Sequence, residues 1–436
     1  MPQIEAFKGT CYNSAIIDDM AKVIAPPYDV ITGPAKARLL SNSPYNIIRL
    51  ILGKAAQEMG GVRAQSEFEE AAATFAQWLA AEVLVRDSQP ALYDLEEEFE
   101  AVGKRYCRRG FIGLLKLEEE KNAVRPHEKT MQAPKQDRLE LTRHCRANFS
   151  QIFTLYEDED NAVEKALQIT RPAAPMFTFS EDGITRRLWR ITDPQAIAAA
   201  QAHLQNREIF IADGHHRYET ALLYQQEMRR KTPASPGNQP WDYVMSYFSS
   251  MSSPGLAILP THRLLSNFPT PSADELKRGL EQYFTLEKCD DDGEPVAALL
   301  QKLEKSGDNS SFIMLAENFN EPLLLTLKRT AAAEILGQLP QSLAALDVSV
   351  LQQLVFGHIL GISSADMEQQ RYTRYTQDAA NAIAAVRSGE AQIAILLKAT
   401  KIEQVRDVAQ QGEKMPQKST FFFPKLATGL VLNRLD

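Results

Sequence analysis

The stretch that decides the fold is residues 207–224, which read REIFIADGHHRYETALLY. Its first part, 209–212, is a short apolar run that is typical of one buried strand. From Arg217 onward the apolar residues recur with helical spacing, which predicts a helix that continues to Met228. A strand that passes through a glycine turn straight into a helix leaves backbone N–H groups unpaired at the positive end of the helix dipole. We therefore predict an anion site at this junction, most often a site for phosphate.

The junction itself contains residue types that suit phosphate chemistry. Gly214 can adopt a positive φ and let a ligand approach the backbone. Arg217 can hold a phosphate through two parallel hydrogen bonds. Asp213 can hold a metal ion or accept a proton, and His215 and His216 can carry protons near neutral pH. The alternative is an ordinary turn in which Asp213 caps the helix and both histidines face solvent; the combination of these residue types favours a functional site.

The composition disfavours several classes of protein. The 436 residues include 48 Lys and Arg against 56 Asp and Glu, which argues against a protein whose main role is to grip nucleic acid. No window approaches about 18 uninterrupted apolar residues, so we expect no membrane span, and the N-terminus lacks the pattern of a signal peptide. The four cysteines are far apart and form no Cys-x-x-Cys pair, so we interpret them as reduced thiols. These features predict a cytoplasmic protein and leave its oligomeric state open.

The order of the predicted elements indicates an α+β fold, a mixed sheet with helices, and at its C-terminal end an α/β part. Among the local expectations, residues 44–50 would lead from a loop into a strand, and residues 194–204 and 273–283 would each form a helix. We expect three domains, which are an N-terminal α/β part over 1–120 with a hairpin at 92–117, a central domain over 121–265 that carries the anion turn, and a C-terminal α/β domain over 266–436 whose tail, 415–425, docks back.

A second candidate region is a basic island in this acidic protein. Between Lys121 and Arg146 there are seven Lys and Arg but three Asp and Glu. From position 137 the pattern is helical, and Arg138, Thr142 and Arg146 follow at i, i+4 and i+8, so they would share one helix face. Such a face suits a polyanion. It is equally compatible with an ordinary solvated helix face, and this segment alone does not choose between the two.

Polar residues in predicted loops and at the ends of predicted strands are further candidates for the same pocket. His127 and Glu128 lack the second histidine of a His-Glu-x-x-His site, so we do not predict zinc. For His262 alone, a structural role is the simpler interpretation. Beside the other basic motifs, however, we favour a place in the pocket, where His262 could donate a proton. The candidates are Tyr28, Asp29, His127, Glu128, Lys129, Asn148, Thr261, His262, Arg263, Lys418 and Ser419.

Seven motifs together resemble domain-of-unknown-function family 1015 over nearly the whole chain. That family occurs in bacteria and archaea and offers no activity that can be transferred to this chain. In order, the motifs are APPYDV at 25–30, PHE with a threonine at 126–130, DR at 137–138, ANFS at 147–150, DGHHRY at 213–218, LPTHR at 259–263 and MPQKST at 415–420.

The strand–turn–helix junction alone is similar to the phosphate-binding turn of the ParB/sulfiredoxin superfamily, which includes CTP-binding partition proteins, sulfiredoxin and free-serine kinases. The resemblance implies a ParB/sulfiredoxin-like element in the central part of the chain. It also implies that Gly214, His215, His216 and Arg217 bind phosphate, with a carboxylate as base or Mg²⁺ ligand. Asp213 and Glu128 are the candidates for that carboxylate. The cysteine of sulfiredoxin is absent beside this turn, which argues against sulfiredoxin chemistry.

The resulting hypothesis is a phosphoryl-transfer enzyme, a kinase that acts on a small metabolite such as serine. Phosphoryl transfer needs positioning, cations at the transferred group, a metal ion and a base. Mg²⁺ and ATP, ADP or another nucleotide are the expected cofactors, whereas nucleic acid and membranes are not expected partners. A phosphatase for a metabolite such as phosphoserine and a nucleotide-binding switch without turnover remain alternatives. The residues that would supply the cations are Lys129, Arg138, Arg146, Arg217 and Lys418.

Overall fold

The computed structural model describes residues 1–53, 63–118, 123–128, 132–289, 296–307 and 309–436. Short 3₁₀ helices occupy Met20–Lys22, Tyr28–Val30 and Pro240–Asp242, and a π-helix occupies Leu351–Ile359. The strands are β1 Ile4–Glu5, β2 Thr10–Tyr12, β3 Leu84–Arg86, β4 Leu92–Ala101, β5 Lys104–Lys116, β6 Val124–Arg125, β7 Ala147–Asn148, β8 Ile152–Tyr156, β9 Phe177–Glu181, β10 Ile184–Ile191, β11 Ile209–Asp213, β12 Tyr243–Ser250, β13 Ala257–Leu259, β14 His262–Leu265, β15 Phe284–Lys288, β16 Ser311–Ala316, β17 Leu323–Leu327, β18 Thr373–Thr376, β19 Ile393–Leu396, β20 Phe421–Phe423 and β21 Asn433–Arg434.

The α-helices alternate with these strands along most of the chain. They are α1 Gly33–Asn42, α2 Ile48–Ile51, α3 Gln65–Ala80, α4 Gln132–Cys145, α5 Ala162–Ile169, α6 Pro194–Leu204, α7 His215–Lys231, α8 Ala273–Tyr283, α9 Val296–Lys305, α10 Ala333–Leu336, α11 Gln341–Ala344, α12 Asp347–Val350, α13 Ser364–Glu368, α14 Ala379–Arg387 and α15 Ile402–Gln410.

The chain divides into two compact units, which differs from the three predicted domains. The first unit comprises Met1–Pro126, Thr130–Ala257 and Pro424–Asp436, and the second comprises His127–Lys129 and Ile258–Phe423. The strand β5, which precedes the predicted boundary at 120, pairs with β12, which follows it. The predicted tail is divided as well, since its last two residues belong to the first unit.

One mixed sheet organises the first unit. Nine strands of the described residues form it, in the order β6-β11-β8-β12-β5-β4-β10-β9 with β1 beside β5. The pairs β6–β11 and β8–β12 are parallel, and the other pairs are antiparallel. The predicted hairpin at 92–117 is β4–β5. The mixed sheet with helices confirms the predicted α+β class.

The helix α7 packs directly on the strand that precedes it. Ile209 and Ile211 of β11 share one core with Tyr218 and Ala221 of α7. The strand contributes alternate residues and the helix contributes residues three apart, as the two periodicities require. This shared core fixes the direction in which the helix leaves the turn.

A second sheet, of six strands in the described residues, organises the second unit in the order β15-β17-β16-β19-β14-β18. Its central strands bury both faces. In β19, Ile393 and Ile395 belong to one core, whereas Ala394 and Leu396 belong to another. The near-continuous apolar run of this strand follows from burial on both sides.

The expectation of a strand at 44–50 is wrong, because α2 begins at Ile48. The Asn46 side-chain oxygen accepts a hydrogen bond from the Ile48 N–H at 2.9 Å, and its amide donates to the carbonyls of Lys22 and Ile24. Asn46 is fully buried. This local side-chain bond turns the backbone into a helix and overrides the strand preference of the isoleucines.

All four cysteines are free, and three of them are buried. Within the described part of the chain, no helix is both long enough and apolar enough to cross a membrane.

Candidate functional site

The junction between β11 and α7 has the geometry that the sequence predicted. The strand ends at Asp213, the helix begins at His215, and Gly214 between them has a φ of 95°. A Cβ atom at position 214 would lie 2.9 Å from the Arg217 guanidinium. Glycine is therefore needed twice, for the left-handed backbone and for the close approach of Arg217.

Two cations hold the Asp213 carboxylate. Arg217 Nη2 donates to Asp213 Oδ2 at 2.8 Å, and Lys425 Nζ donates to Asp213 Oδ1. Arg217 also donates to the carbonyl oxygen of Gln151. Burial by itself raises the pKa of Asp213, but the charges of Lys425 and Arg217 outweigh it and hold that pKa well below its ordinary range. The carboxylate therefore stays ionised, and the three groups carry one net positive charge.

Asp137 shows the same excess of cations over carboxylate. Arg63 Nε donates to Asp137 Oδ1 at 3.1 Å, and Arg138 Nε donates to Asp137 Oδ2 at 3.0 Å. Burial works to raise the pKa of Asp137, yet the two arginines lower it overall. Arg138 also donates to the Ile51 carbonyl at 2.8 Å. This cluster too carries one net positive charge.

Tyr28 covers the Arg138 guanidinium. The guanidinium carbon lies 4.3 Å from the centre of the Tyr28 ring. Burial raises the pKa of Tyr28 to about 12, against the opposing charge of Arg138. The charges of Arg217 and Asp213 act on the same phenol. Tyr28 thus belongs to the surroundings of both basic clusters and stays protonated at neutral pH.

Arg138 and Arg217 line one small pocket in the first unit, with a volume of about 60 Å³. Asn148 lines it as well, so the structure brings these three predicted residues together. Small-molecule sites commonly measure roughly 300–1,000 Å³. The pocket therefore suits one charged group of a ligand better than a whole nucleotide.

Parallel packing of α4 and α7 explains why Arg138 and Arg217 meet. Lys135 pairs with Glu219 at 3.0 Å, and Arg143 pairs with Glu227. Each pair joins residues that are 84 positions apart, so the two helices run side by side in the same direction. The positive ends of both helix dipoles therefore lie at the same end of the pair.

In the second unit, His127 and Glu128 contact the segment 415–420. The Met415 N–H donates to the His127 carbonyl at 2.7 Å, and the Lys418 N–H donates to Glu128 Oε1 at 3.2 Å. His127 Nε2 lies 3.4 Å from Thr420 Oγ1. These contacts bring together two motifs that are almost 300 residues apart in the sequence.

Arg263, Thr261 and His262 also lie in the second unit, where all three are buried. Arg263 donates to the carbonyls of Thr261 and Lys418. His262 Nδ1 accepts the Leu397 N–H at 3.2 Å. Burial, aided by the Arg263 charge, lowers the pKa of His262 to about 4. His262 is therefore neutral near pH 7, which supports the structural interpretation of this residue over a role as proton donor.

The remaining predicted residues are distributed as follows. Arg146 lies one residue beyond the end of α4, is exposed and has a φ of 46°; it is therefore not on the helix face of Arg138, because the helix ends before it. Asp29 is exposed. Ser419 is buried and donates to the Pro416 carbonyl at 2.5 Å. Lys129 lies outside the described residues. His215 is buried and His216 half-buried in the first turn of α7.

The sequence analysis missed Lys425, Gln151 and Arg63 as parts of the basic clusters. Lys425 is 212 positions from Asp213, and Arg63 is 74 positions from Asp137. No local pattern marks such distant partners. The one available signal was the position of Lys425 directly after the unusual KSTFFFP run.

Asp213 does not present an open metal site. Both oxygens of Asp213 already accept hydrogen bonds from cations, which leaves this carboxylate poorly suited to Mg²⁺ in this arrangement. Elsewhere, Glu96, Glu98 and Cys107 place ligand atoms within 4.8 Å of one another. Glu96, however, is paired with Arg109 at 2.9 Å. The simpler interpretation of this group is therefore a cluster of ion pairs and not a metal site.

Comparisons with known proteins give one family and several distant structures. The family model described as "Protein of unknown function (DUF1015)" matches residues 4–349. No curated protein matches the chain. Among solved structures, the chain is similar to a free serine kinase in complex with AMP, at 13% identity and a TM-score of 0.33 over 70% of this chain and 85% of the kinase chain.

Two further solved structures are similar at the same level. A conserved hypothetical protein from Pyrococcus furiosus has 14% identity and a TM-score of 0.33, over 70% of this chain and 88% of that chain. SbnI with a C-terminal truncation, from Staphylococcus aureus, has 9% identity and a TM-score of 0.35, over 73% of this chain and 85% of that chain. Likenesses this distant carry no argument about function.

Proposed function

The chain belongs to the DUF1015 family of proteins of unknown function, and we propose that it is a phosphoryl-transfer enzyme. In its most specific form, the proposal is a nucleotide-dependent kinase that acts on a small metabolite such as serine in the cytoplasm. The observation that carries it is the excess of positive charge around one pocket of an acidic protein, whose formal net charge is −8. Asp137 and Asp213 each hold two cations, and one cation from each pair lines that pocket.

The pocket offers what a transferred phosphoryl group needs. Arg217, Arg138 and Lys425 are fixed by ion pairs before a ligand arrives, so little reorganisation is required when negative charge develops. Gly214 lets the Arg217 guanidinium lie close to the backbone at the start of α7, where the helix dipole also favours an anion. Fixed cations at the equatorial oxygens are a main source of catalysis in phosphoryl transfer.

Within this proposal, the role of Asp213 is to hold and orient Lys425 and Arg217. A carboxylate whose pKa lies well below its ordinary range is a weak base, which disfavours the alternative role of general base. His215 and His216 are the proposed proton carriers in the first unit.

Mg²⁺ and a nucleotide are the proposed cofactors. The phosphates of a nucleotide commonly supply part of the coordination of Mg²⁺ themselves, together with one or two carboxylates. Because Asp213 is engaged by two cations, most of the coordination of Mg²⁺ is proposed to come from the nucleotide phosphates.

The test is a screen of ATP turnover with Mg²⁺ across free amino acids, serine first, with ADP formation as the readout. Arg217→Ala removes an oriented cation and is expected to lower the rate by about 10³-fold, by analogy with other arginines at a transferring phosphate. Arg38→Ala is the matched control, since Arg38 is exposed, pairs with Asp182 in the first unit and does not line the pocket. Equal rates of ADP formation in the two variants would contradict the assignment of the site.

The same assay separates the alternatives. Labelled phosphate that stays on the protein after incubation with phosphoserine would favour a phosphatase. Binding of ATP or CTP without consumption, whatever metabolite is added, would favour a nucleotide-binding switch and would overturn the enzyme proposal.

A further inference from the structure

The second unit contains a cavity of about 490 Å³, which is the size of a typical small-molecule site. Its wall has an apolar part formed by Leu339, Leu343, Val348, Phe356 and Met367. The rest of the wall carries polar side chains from several separate segments of the unit.

Arg263 is the most deeply buried charge on this wall, with 4% of its surface exposed. Its guanidinium donates to the carbonyl oxygens of Thr261 and Lys418 and lies 5.5 Å from the centre of the Tyr375 ring. No carboxylate of the described residues pairs with it within 4.0 Å. Burial lowers the pKa of Arg263 to about 10, so the group keeps its charge at neutral pH.

A buried charge of this kind is costly unless an anion or equivalent hydrogen bonds compensate for it. Neutral carbonyls and an aromatic face compensate in part, but they do not neutralise the charge. Other ionisable residues of the wall do not fill this role. Glu368 is exposed and Glu413 and Lys414 are half-buried, so solvent screens their charges far more than that of Arg263.

Part of the apolar wall of the cavity comes from an unusual helix. Leu351 and Phe356, which line the cavity, belong to the π-helix Leu351–Ile359. The π-helix is a rare structure, and π-bulges within α-helices are frequent at functional sites. Ser349, two residues before this helix, also lines the cavity, and its buried hydroxyl has no hydrogen-bond partner in the described part of the chain.

We propose that this cavity binds a small organic acid, whose carboxylate or phosphate pairs with Arg263 and whose apolar body packs on the wall of Leu339, Leu343 and Phe356. The proposal does not rest on the phosphoryl-transfer function, because every residue that carries it lies in the second unit and none belongs to the basic clusters of Asp137 and Asp213. Carboxylates and phosphate monoesters share the chemistry that Arg263 recognises, and the probes below distinguish them.

The test is calorimetric titration of the full chain with four probes. Hydrocinnamate, isocaproate and phenyl phosphate each combine an acid group with an apolar body, whereas hydrocinnamyl alcohol keeps the body of hydrocinnamate and lacks the charge. At least one acid is expected to bind, and hydrocinnamyl alcohol is expected to bind about tenfold or more weakly than hydrocinnamate, since a charged hydrogen bond is worth roughly that factor or more. A preference for phenyl phosphate over the two carboxylates would assign the phosphate form of the ligand.

Two variants locate the binding. Arg263→Met removes the charge and should abolish acid binding; because this variant could also disturb the fold, Gln352→Trp is the second test. Gln352 is half-buried and lines the cavity, so tryptophan there fills the space without removing a buried charge. Gln338→Trp is the matched control on an exposed residue outside the cavity.

Acid binding that is lost in Gln352→Trp and retained in Gln338→Trp supports the proposal. The proposal is overturned if no acid binds, if the alcohol binds as tightly as hydrocinnamate, or if Gln352→Trp binds the acids unchanged. None of these outcomes depends on ATP turnover, so failure here is distinguishable from failure of the proposed kinase activity.

Discussion

At the scale of single residues, position 214 requires glycine for two reasons, its left-handed backbone and the close approach of the Arg217 side chain. Its φ of 95° lies in the left-handed region, and the Arg217 guanidinium lies where a Cβ would be. A backbone effect alone would be shared by any glycine with a positive φ, whereas the contact with Arg217 belongs to this position. The two effects can therefore be separated by experiment.

Gly214→Ala is expected to destabilise the protein by about 1–2 kcal/mol through its backbone alone, and further because Arg217 must move away from Asp213. Urea unfolding followed by tryptophan fluorescence measures this loss, since Trp78, Trp189 and Trp241 all lie in the first unit. Gly183→Ala is the matched control, because Gly183 has a φ of 76° and no atom lies within 4 Å of where its Cβ would be. Equal losses in the two variants would contradict the contact with Arg217.

Lys425→Gln removes one of the two cations that hold Asp213. The pKa of Asp213 is lower in the folded chain than its ordinary value of 3.8, so the ionised carboxylate contributes stability above that value, and this contribution is lost as the pH falls further towards the folded pKa. The variant is expected to be less stable near pH 7 by roughly 1–3 kcal/mol. It should also lose less stability on acidification below about pH 4.

Urea titrations at a series of pH values, again followed by tryptophan fluorescence, check this prediction. Lys22→Gln serves as the control, because Lys22 is an exposed partner of Asp19 in the first unit. An acid dependence as steep in Lys425→Gln as in the parent chain would show that the ion pair with Asp213 does not set the pKa.

At the scale of elements, the parallel pair of α4 and α7 brings the two basic clusters to one pocket. The ion pairs Lys135–Glu219 and Arg143–Glu227 both join residues that are 84 positions apart, so they hold the two helices in one register. In this register, Arg138 and Arg217 line the same pocket. A change of register would move these arginines apart by a helical step of about 1.5 Å per residue. The ion pairs between α4 and α7 therefore help to position the two arginines of the pocket.

A double-mutant cycle on the ion pair between Lys135 and Glu219 tests this arrangement. Lys135→Glu and Glu219→Lys should each destabilise the protein by about 0.5–1 kcal/mol, as expected for a partly exposed pair. The double variant restores opposite charges and should recover most of the loss. Urea unfolding measures all three variants, and losses that simply add would argue against contact between these two side chains.

At the scale of the whole molecule, the chain ends inside the unit in which it begins. Pro424–Asp436 belongs to the first unit, where β21 pairs with β7 and the Thr10 N–H donates to the Leu432 carbonyl at 2.8 Å. Leu430, Val431 and Leu432 are fully buried. The last thirteen residues are therefore structural parts of the first core.

A chain truncated after Phe423 is expected to lose the fold of the first unit. Burying each of the three apolar side chains contributes about 1.5–3 kcal/mol, and a typical domain is stable by about 5–15 kcal/mol in total. The tryptophan emission should shift to the red, because the buried Trp78 and Trp189 become exposed. Removal of Asp436 alone, which is exposed, is the control, and native emission from the longer truncation would contradict the prediction.

Local signals predicted individual elements well. Helix α6 begins at Pro194 as expected, because Asp193 accepts the Ala196 N–H at 2.8 Å and proline fits the first helical turn. Helix α8 also has the predicted bounds, with Ser272 and Glu275 forming a capping box. Capping and periodicity depend on neighbouring residues, so the sequence shows them directly.

Predictions failed where distant residues decide the structure. The strand predicted at 44–50 was wrong because Asn46, which donates to the carbonyls of Lys22 and Ile24, starts a helix there. The shared helix face of Arg138 and Arg146 was wrong because α4 ends at Cys145. Periodicity predicts that a helix exists far better than it predicts the residue at which the helix ends.

For the candidate site, the sequence alone determined the turn: a strand, a left-handed glycine and a helix N-terminus with Arg217 in its first turn. These features depend on backbone preferences and on residues a few positions apart. Only the tertiary structure decided that Lys425 shares Asp213 with Arg217, and that Arg63 shares Asp137 with Arg138. Such pairings depend on the path of the whole intervening chain, which sets the distances between charges and therefore the electrostatic character of the pocket.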